Sequence, residues 1–267
     1  MRGGLVYLAD LKRREPGVPG VIAATRGNHG QSVAFAARRH GVPALIVVPR
    51  GNSVEKNAAM RALGAELVEH GHDFQAALEH AAELTRDRGW HKVPSFHPAL
   101  SRGIASYGLE LFRAVPELEA VYVPIGLGSG ICGVIDARDA LGLSTEVIGV
   151  VAERAAAYAL SFEAGAPVST DSADTIADGL ACRVPDPESL DVILRGAERV
   201  VTVSEKAIRA AMRTYFTDTH NVAEGAGAAP LAALLTERER MAGRRVAVVL
   251  TGGNVDAALY REVLSDG

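Results

Sequence analysis

Three glycine-rich stretches carry the residue types that could do chemistry. The first, "ATRGNHGQS" (24–32), follows an apolar run and opens a helix. There Thr25, Gly27, Asn28, His29 and Gly30 set side-chain and backbone donors at a helix N-terminus, where a carboxylate or phosphate is held. The same residues also suit an ordinary Asn/Gly turn that caps the helix. The second, "PIGLGSGICG" (124–133), is again strand, glycine turn and helix, a cradle of N–H groups for a phosphate. Gly128, Gly130 and Gly133 satisfy G-x-G-x-x-G, and Glu153 lies twenty residues further on, so a nicotinamide-binding oxidoreductase is a rival reading. In the third, "VVLTGGNVD" (248–256), the Thr251 hydroxyl stands where it could face a ring nitrogen or cap the next helix.

Other chemistry is thinly represented. His70 and His72 form H-x-H without a third ligand nearby in the sequence and read as a surface loop rather than a zinc site. His40, His80, His91 and His220 stand singly, and neither a G-x-S-x-G elbow nor an H-E-x-x-H pair occurs. Cys132 and Cys182 have neither the number nor the spacing of a disulfide framework or metal finger. A net charge of −4 gives no basic field for nucleic acid or anionic lipid. Apolar runs such as "VPALIVVP" are too short to span a bilayer, and no signal-peptide pattern occurs, so the expected location is cytoplasmic.

The positioning elements alternate. Apolar runs at 20–25, 44–49, 65–70, 120–126, 146–153, 199–204 and 245–253 are separated by helical patterns. Short, nearly all-apolar strands separated by longer helices define parallel sheets covered on both faces, with ligands at the carboxyl ends of the strands. Ser53 caps one helix and Gly64 stops it, and Gly41 ends the helix after the first loop. At the chain start, Leu5, Leu8 and Leu11 already mark a helix with no capping residue before it.

Taken with "DTIADGLACR" (174–183) and "NVAEGAGAAPLAAL" (221–234), these loops resemble one family. "TRGNHGQS" is similar to the S-x-G-N-H-x-Q segment of the threonine/serine dehydratases, pyridoxal-phosphate enzymes of the tryptophan-synthase-β-like fold (fold type II). "GLGSG" resembles their tetraglycine phosphate loop, "TIADG" matches outright, "AEGAGAAPLAA" resembles E-x-A/S-G-A, and "LTGGN" resembles S-G-G-N. The motifs stand in the family's order along essentially the whole chain. The oxidoreductase reading explains the middle loop alone.

The resemblance implies roles residue by residue. Asn28 hydrogen-bonds the pyridoxal hydroxyl oxygen, and Thr25, His29 and Gly30 surround the substrate carboxylate. Gly126, Leu127, Gly128, Ser129 and Gly130 wrap the phosphate, Glu224 lies near the ring, and Thr251 faces the pyridine nitrogen. A hydroxyl there leaves that nitrogen unprotonated, a weaker electron sink that favours elimination. Arg26 departs from the pattern, standing where serine racemases carry an acid–base serine. A permanently charged guanidinium cannot take that role, so it either contacts the substrate or points outward. "GIAS" (103–106) replaces the family's second glycine-rich segment, G-Q-G-T.

In the family the lysine that forms the Schiff base lies in F-K-x-R-G-A/G. Here Arg2-Gly3-Gly4 matches R-G-G and Met1 occupies x, so the lysine is expected one residue before Met1 and no catalytic residue is assigned within the chain. Lys12, Lys56, Lys92 and Lys206 sit on no matching motif. The chain is therefore expected to be an N-terminally truncated, inactive form of the enzyme.

The overall expectation is an α/β protein of two open twisted sheets. Residues 20–100 are expected to form a smaller domain, and 1–19 with 101–267 a larger cofactor-binding one. The implied activity is β-elimination of water from threonine- or serine-type amino acids, giving a 2-oxo acid and ammonia. The alternatives are a non-catalytic relative, a racemase or hydroxyaspartate dehydratase of the same fold, and, lower, the oxidoreductase. The family implies a homodimer acting on a small amino acid, without nucleic acid or membrane; no metal site can be assigned.

Overall fold

The computed structural model describes residues 1–265 and divides into two compact units, Met1–Gly103 and Ile104–Gly267. The first contains α1 (Arg2–Arg14), β1 (Val21–Ala24), α2 (Asn28–Arg39), β2 (Ala44–Val48), α3 (Val54–Ala62), β3 (Glu66–Glu69), α4 (Phe74–Arg88) and β4 (His91–Lys92). The division falls within α5 (Pro98–Ala114). The second unit continues with β5 (Ala120–Pro124), α6 (Ser129–Ala140), β6 (Glu146–Ala152), α7 (Ala157–Ala164), α8 (Pro187–Gly196) and β7 (Arg199–Val203). It ends with α9 (Glu205–Thr219), α10 (Gly225–Thr236), β8 (Val246–Val248) and α11 (Ala257–Ser265).

The first unit is built on a parallel sheet in the order β3-β2-β1-β4. Successive side chains of a strand point to opposite faces, and both faces are covered here. Val21, Ala23, Ile46 and Val48 meet Val33, Ala37 and Met60 on one side. Ile22, Ala24, Leu45 and Val47 meet Ala77 and Ala81 of α4 on the other. That two-sided burial is why β1 and β2 read as continuous apolar runs. As expected, Ser53 caps α3, accepting from Lys56 N at 3.0 Å, and Gly64 follows its end at φ +91°. The two-residue β4, paired to β1 through Val21↔His91, is too short and polar to be legible as a strand.

The structure differs from expectation over residues 1–19. Tyr7, Leu8, Leu11 and Val18 are buried in the same core as β1, β2 and α2, so α1 belongs to the first compact unit rather than with 101–267. The reason is local. Leu8 and Leu11, one turn apart, need an apolar partner, and α2 presents Val33 and Ala37. Gly4 N donates to Ser32 Oγ at 3.2 Å, and Ser32 Oγ donates to Met1 O at 3.2 Å, which docks the uncapped start of α1 against α2.

The second unit has a parallel sheet in the order β7-β6-β5-β8. Tyr122, Ile148 and Val150 face a core completed by Ile208 and Met212 of α9 and by the small residues Ala228, Ala229, Ala232 and Ala233 of α10. The alanine-rich composition of α10 is therefore a packing requirement: small side chains let the helix lie close on the sheet. Strand β8 ends at Val248, well short of the apolar run 245–253. Beyond it the backbone turns to α10 instead, where Glu224 N donates to Gly252 O at 3.0 Å.

Candidate active site

In the first unit, 25–31 link the carboxyl end of β1 to α2. Thr25 is 4 % exposed, and its Oγ1 accepts from Gly27 N (2.9 Å) and Gly30 N (3.2 Å), which folds the turn onto the first residues of the helix. The N-cap residue of α2, Gly27, supplies no capping side chain, Thr25 takes one first-turn N–H, and the first turn contains no acidic residue. Positive partial charge thus remains at its start. Asn28 is exposed, Gly30 is buried, and Arg26 and His29 are half-buried. Three nitrogens of this segment, Arg26 Nε, His29 Nε2 and Gln31 Nε2, are enclosed without a hydrogen-bond partner. Enclosed polar groups are normally paired, so three together within six residues present donors to acceptors that the chain itself does not supply. Burial, and secondarily the positive N-terminal amine, lower the His29 pKa to about 4, so the ring is neutral at pH 7.

Lys56 sits on no matching motif, yet the fold encloses it. It is 4 % exposed in the first turn of α3, and its stem crosses the backbone of the first loop. A Cβ on Gly27 would stand 2.5 Å from Lys56 Cδ, so the loop passes over the lysine only because position 27 has no side chain. The available signal was its position: Lys56 follows the carboxyl end of β2, beside β1 in the sheet. Lys92 and Lys206 are exposed, and Lys12 is partly so, donating to Pro16 O at 2.5 Å.

In the second unit the glycine turn leads from β5 into α6. Gly128 caps α6 with φ +95°, a left-handed conformation that L side chains rarely adopt, and a Cβ there would meet Ser189 at 2.5 Å. A Cβ on Gly126 would run into the carbonyl oxygen of Gly179. By contrast, a Cβ on Gly130 would find nothing nearer than Pro124 O at 3.7 Å, so space remains at that point. Tyr107 Oη donates to Gly130 O at 3.3 Å. No side chain caps α6 and its first turn has no acidic residue. Leu127 and Ser129 complete the turn, both partly exposed. Backbone N–H groups of a glycine turn at an uncapped helix start are the chemistry that holds a phosphate, so these residues fit the phosphate end of pyridoxal phosphate.

The other motifs converge on this turn. Gly179 of "TIADG" touches Gly126, and Ile176 N is held at 2.9 Å by Glu205 Oε2, a carboxylate that escaped notice in the sequence. Gly225 packs on Ala177 and Gly227 on Gly252, bringing "AEGAGAAPLAA" against both "TIADG" and "LTGGN". Glu224, 2 % exposed, is the N-cap residue of α10. Thr251 is exposed in the irregular segment after β8, so its hydroxyl is accessible.

The remaining candidates lie apart from these loops. His70 stacks on His80 with ring centroids 3.9 Å apart, while His72 Nε2 faces Asp73 Oδ2 at 3.7 Å. Both thiols are buried and pushed up to about 12, which keeps them protonated and unreactive. Glu153, the acidic residue of the dinucleotide reading, is exposed in a 3-10 turn after β6.

Parallel sheets and, in the second unit, a glycine-turn phosphate cradle joined by three further loop motifs define a class, the cofactor-binding α/β enzymes. Within it, the chain belongs to the pyridoxal-phosphate dependent enzyme family, which it matches over residues 1–252. That membership sets aside the nicotinamide reading of the glycine turn. The chain is 34 % identical over 268 residues to the L-threonine ammonia-lyase of Thermotoga maritima, covering 100 % of this chain and 66 % of that protein. It is 36 % identical to the biosynthetic L-threonine dehydratase of Salmonella typhimurium, over 96 % of this chain and 50 % of that one. It thus spans between half and two thirds of the length of these relatives. Among solved structures, the processed threonine deaminase isoform 2 of Solanum lycopersicum superposes with TM-score 0.91 at 31 % identity, over 99 % of this chain and 78 % of that one. The fold is that of these enzymes. No helix among the described residues is long and apolar enough to cross a membrane.

Proposed function

We propose that this chain belongs to a pyridoxal-phosphate lyase that eliminates water from threonine- or serine-type amino acids, releasing a 2-oxo acid and ammonia. The observation that carries the reading is the cluster of enclosed, unpartnered side-chain nitrogens on 26–31 at the start of α2, which suits the carboxylate of an amino acid. When bound, pyridoxal phosphate supplies the electron sink that makes the α-proton removable and the β-hydroxyl able to leave.

The chain's own residues then have distinct tasks. The 126–130 turn and the start of α6 hold the phosphate, and Gly179 supports that turn from behind. Thr25 fixes the substrate loop through its two N–H bonds, and Gly30 keeps it close to Met60. Neutral His29 contributes one uncharged ring nitrogen to the carboxylate, without a second proton to give away at pH 7. By resemblance Asn28, exposed at the head of α2, would hydrogen-bond the cofactor's hydroxyl oxygen, and Glu224 would lie near its ring. By resemblance the Thr251 hydroxyl would face the pyridine nitrogen and leave it unprotonated, a weaker electron sink that would favour elimination over a long-lived carbanion. Arg26 disfavours racemisation, since a guanidinium has no proton to exchange with the opposite face of the substrate. The protein acts in the cytoplasm as a homodimer.

The test is ligand binding together with product analysis. Pyridoxal phosphate is expected to bind, to be displaced by inorganic phosphate, and to be lost in Gly128→Val. Binding insensitive to phosphate and to Gly128→Val overturns the cofactor site. In the enzyme with its Schiff-base lysine present, a threonine- or serine-type amino acid is expected to give a 2-oxo acid and ammonia in equal amounts, and its conversion to epimers in place of the oxo acid overturns elimination.

A further inference from the structure

Behind the 126–130 turn lies a polar cluster enclosed within the second unit. Tyr158 of α7 and Ser189 of α8 are 1 % and 0 % exposed. Tyr158 Oη lies 2.6 Å from Ser189 Oγ and accepts from Asp186 N at 3.0 Å, while Ser189 Oγ donates to Asp186 O at 3.1 Å. The proton count fixes the remaining direction: with the Ser189 proton on Asp186 O, Tyr158 donates to Ser189 Oγ. Burial raises the Tyr158 pKa, so the hydroxyl keeps the proton it donates. A ring is thereby closed through both sides of Asp186, in which each hydroxyl donates once and accepts once. Hydrogen bonds linked in this way polarise one another, and a fully satisfied set fixes one arrangement.

The ring ends on the phosphate turn. A Cβ at Gly128 would stand 2.5 Å from Ser189 Cβ and 2.6 Å from its Oγ, so the serine side chain presses on the Cα of the left-handed residue of the turn. A second link runs through the first turn of α6. Ser189 O accepts from Cys132 Sγ at 3.6 Å, and Cys132 N donates to Gly128 O at 3.0 Å. Ser189 N is held in turn by Asp186 Oδ1 at 3.0 Å, the cap of α8. A small apolar residue at 189 would fill the same space without demanding partners, whereas the ring permits one position for the serine.

We infer that Tyr158, Ser189 and Asp186 are positioning residues for the cofactor's phosphate. Acting through Ser189, they hold Gly128 in the conformation that aims the N–H groups of the turn and of the start of α6 outward. They thereby set the preference for pyridoxal phosphate over pyridoxal. The inference rests on the reading of 126–130 as the phosphate turn.

The test compares the wild type with Tyr158→Phe and Ser189→Ala, each of which removes one hydroxyl and keeps the packing, and with Ser161→Ala as control. Ser161 is also a buried hydroxyl of α7, but its Oγ bonds Ala157 O and Val168 N, away from Gly128. Inorganic phosphate, pyridoxal phosphate and pyridoxal are titrated into isotope-labelled protein while the amide signals of 126–130 are followed by NMR. Urea unfolding gives the stability of each variant. Tyr158→Phe and Ser189→Ala are expected to shift these amides before ligand is added. Both should weaken inorganic phosphate and pyridoxal phosphate at least fivefold and leave pyridoxal within twofold. The double variant should lose no more than the larger single loss, since either change opens the same ring. Ser161→Ala should lower the urea midpoint and leave phosphate binding within twofold. If Tyr158→Phe and Ser189→Ala lower the midpoint yet bind phosphate within twofold of the wild type, the ring only fills the core and the inference is overturned. Equal weakening of pyridoxal phosphate and pyridoxal overturns it too, because the ring then acts away from the phosphate. Should Tyr158→Phe fail to fold, Ser189→Ala decides by the same criteria. If neither phosphate probe moves the 126–130 amides of the wild type, the turn is not the phosphate site, and the cofactor-site reading falls together with the inference.

Discussion

Protonation of His29 is expected to make the fold sensitive to mild acid. Its folded pKa of about 4 lies below the ordinary histidine value of 6.5, chiefly through burial. Between these values the unfolded chain binds a proton that the folded protein refuses, so stability falls as pH falls through this window and levels off below about 4. Each tenfold mismatch in proton affinity is worth about 1.4 kcal/mol, so roughly 2 kcal/mol is lost between pH 7 and pH 5 and roughly 3 by pH 4. That is a large part of the about 5–15 kcal/mol that holds a domain together. Other groups titrate in the same range, notably His91, whose pKa is also lowered by burial, so the assay must isolate one ring. Urea unfolding of the wild type and of His29→Gln, at pH 7 and pH 5, does so. The gap between the two proteins should shift by about 2 kcal/mol in favour of the variant at pH 5. A gap unchanged within about 0.5 kcal/mol would falsify the burial argument, as would a His29 ring titrating by NMR above pH 6. Ligand linkage adds a second signature: an anion beside the ring favours its charged form, so carboxylates should bind more tightly as pH falls.

Three further outcomes follow from the packing. Gly27→Ala should cost about 1–3 kcal/mol because its Cβ meets the Lys56 stem, and most of that cost should vanish in a Lys56→Ala background, as a double-mutant cycle of thermal unfolding will report. Gly126→Ala, which pushes a methyl group into the Gly179 carbonyl, should weaken pyridoxal phosphate binding at least tenfold in equilibrium dialysis, whereas Gly130→Ala should leave the fold's urea midpoint nearly unchanged. Arg199→Met should destabilise the second unit by roughly 2–3 kcal/mol. It leaves Glu237, 2.6 Å from the guanidinium, with Tyr122 Oη as its remaining close partner. An unchanged denaturation midpoint would show that the pair contributes nothing net.

Much of this molecule was legible because its strands are buried on both faces. "GVIAAT" and "ALIVV" have to be apolar throughout, and that requirement is visible without any knowledge of the fold. Strand ends were less legible. Val249 N still donates to Tyr122 O of β5, but Gly252 O accepts from Glu224 N, which takes the chain away from the sheet and toward α10. The docking of α1 was misassigned because its Leu8 and Leu11 stripe says only that a partner exists, and α2 supplied it. Lys56 and Glu205 were missed for a related reason. Each stands at the start of a helix, where a charged residue ordinarily faces water, and each instead supports a distant loop.

The sequence by itself determined the class of sheet, the order of the motifs and the residue types that meet ligand: threonine, asparagine, histidine and glycine at helix starts, where unpaired N–H groups demand acceptors. Only the tertiary structure decided which groups are left unsatisfied. Arg26 and His29 look like any polar turn residues until the chain encloses their nitrogens, because hydrogen bonding to water is free at a surface and lost only on burial. The same burial that neutralises His29 leaves Arg26 charged, since no pKa shift within a protein's reach can discharge a guanidinium.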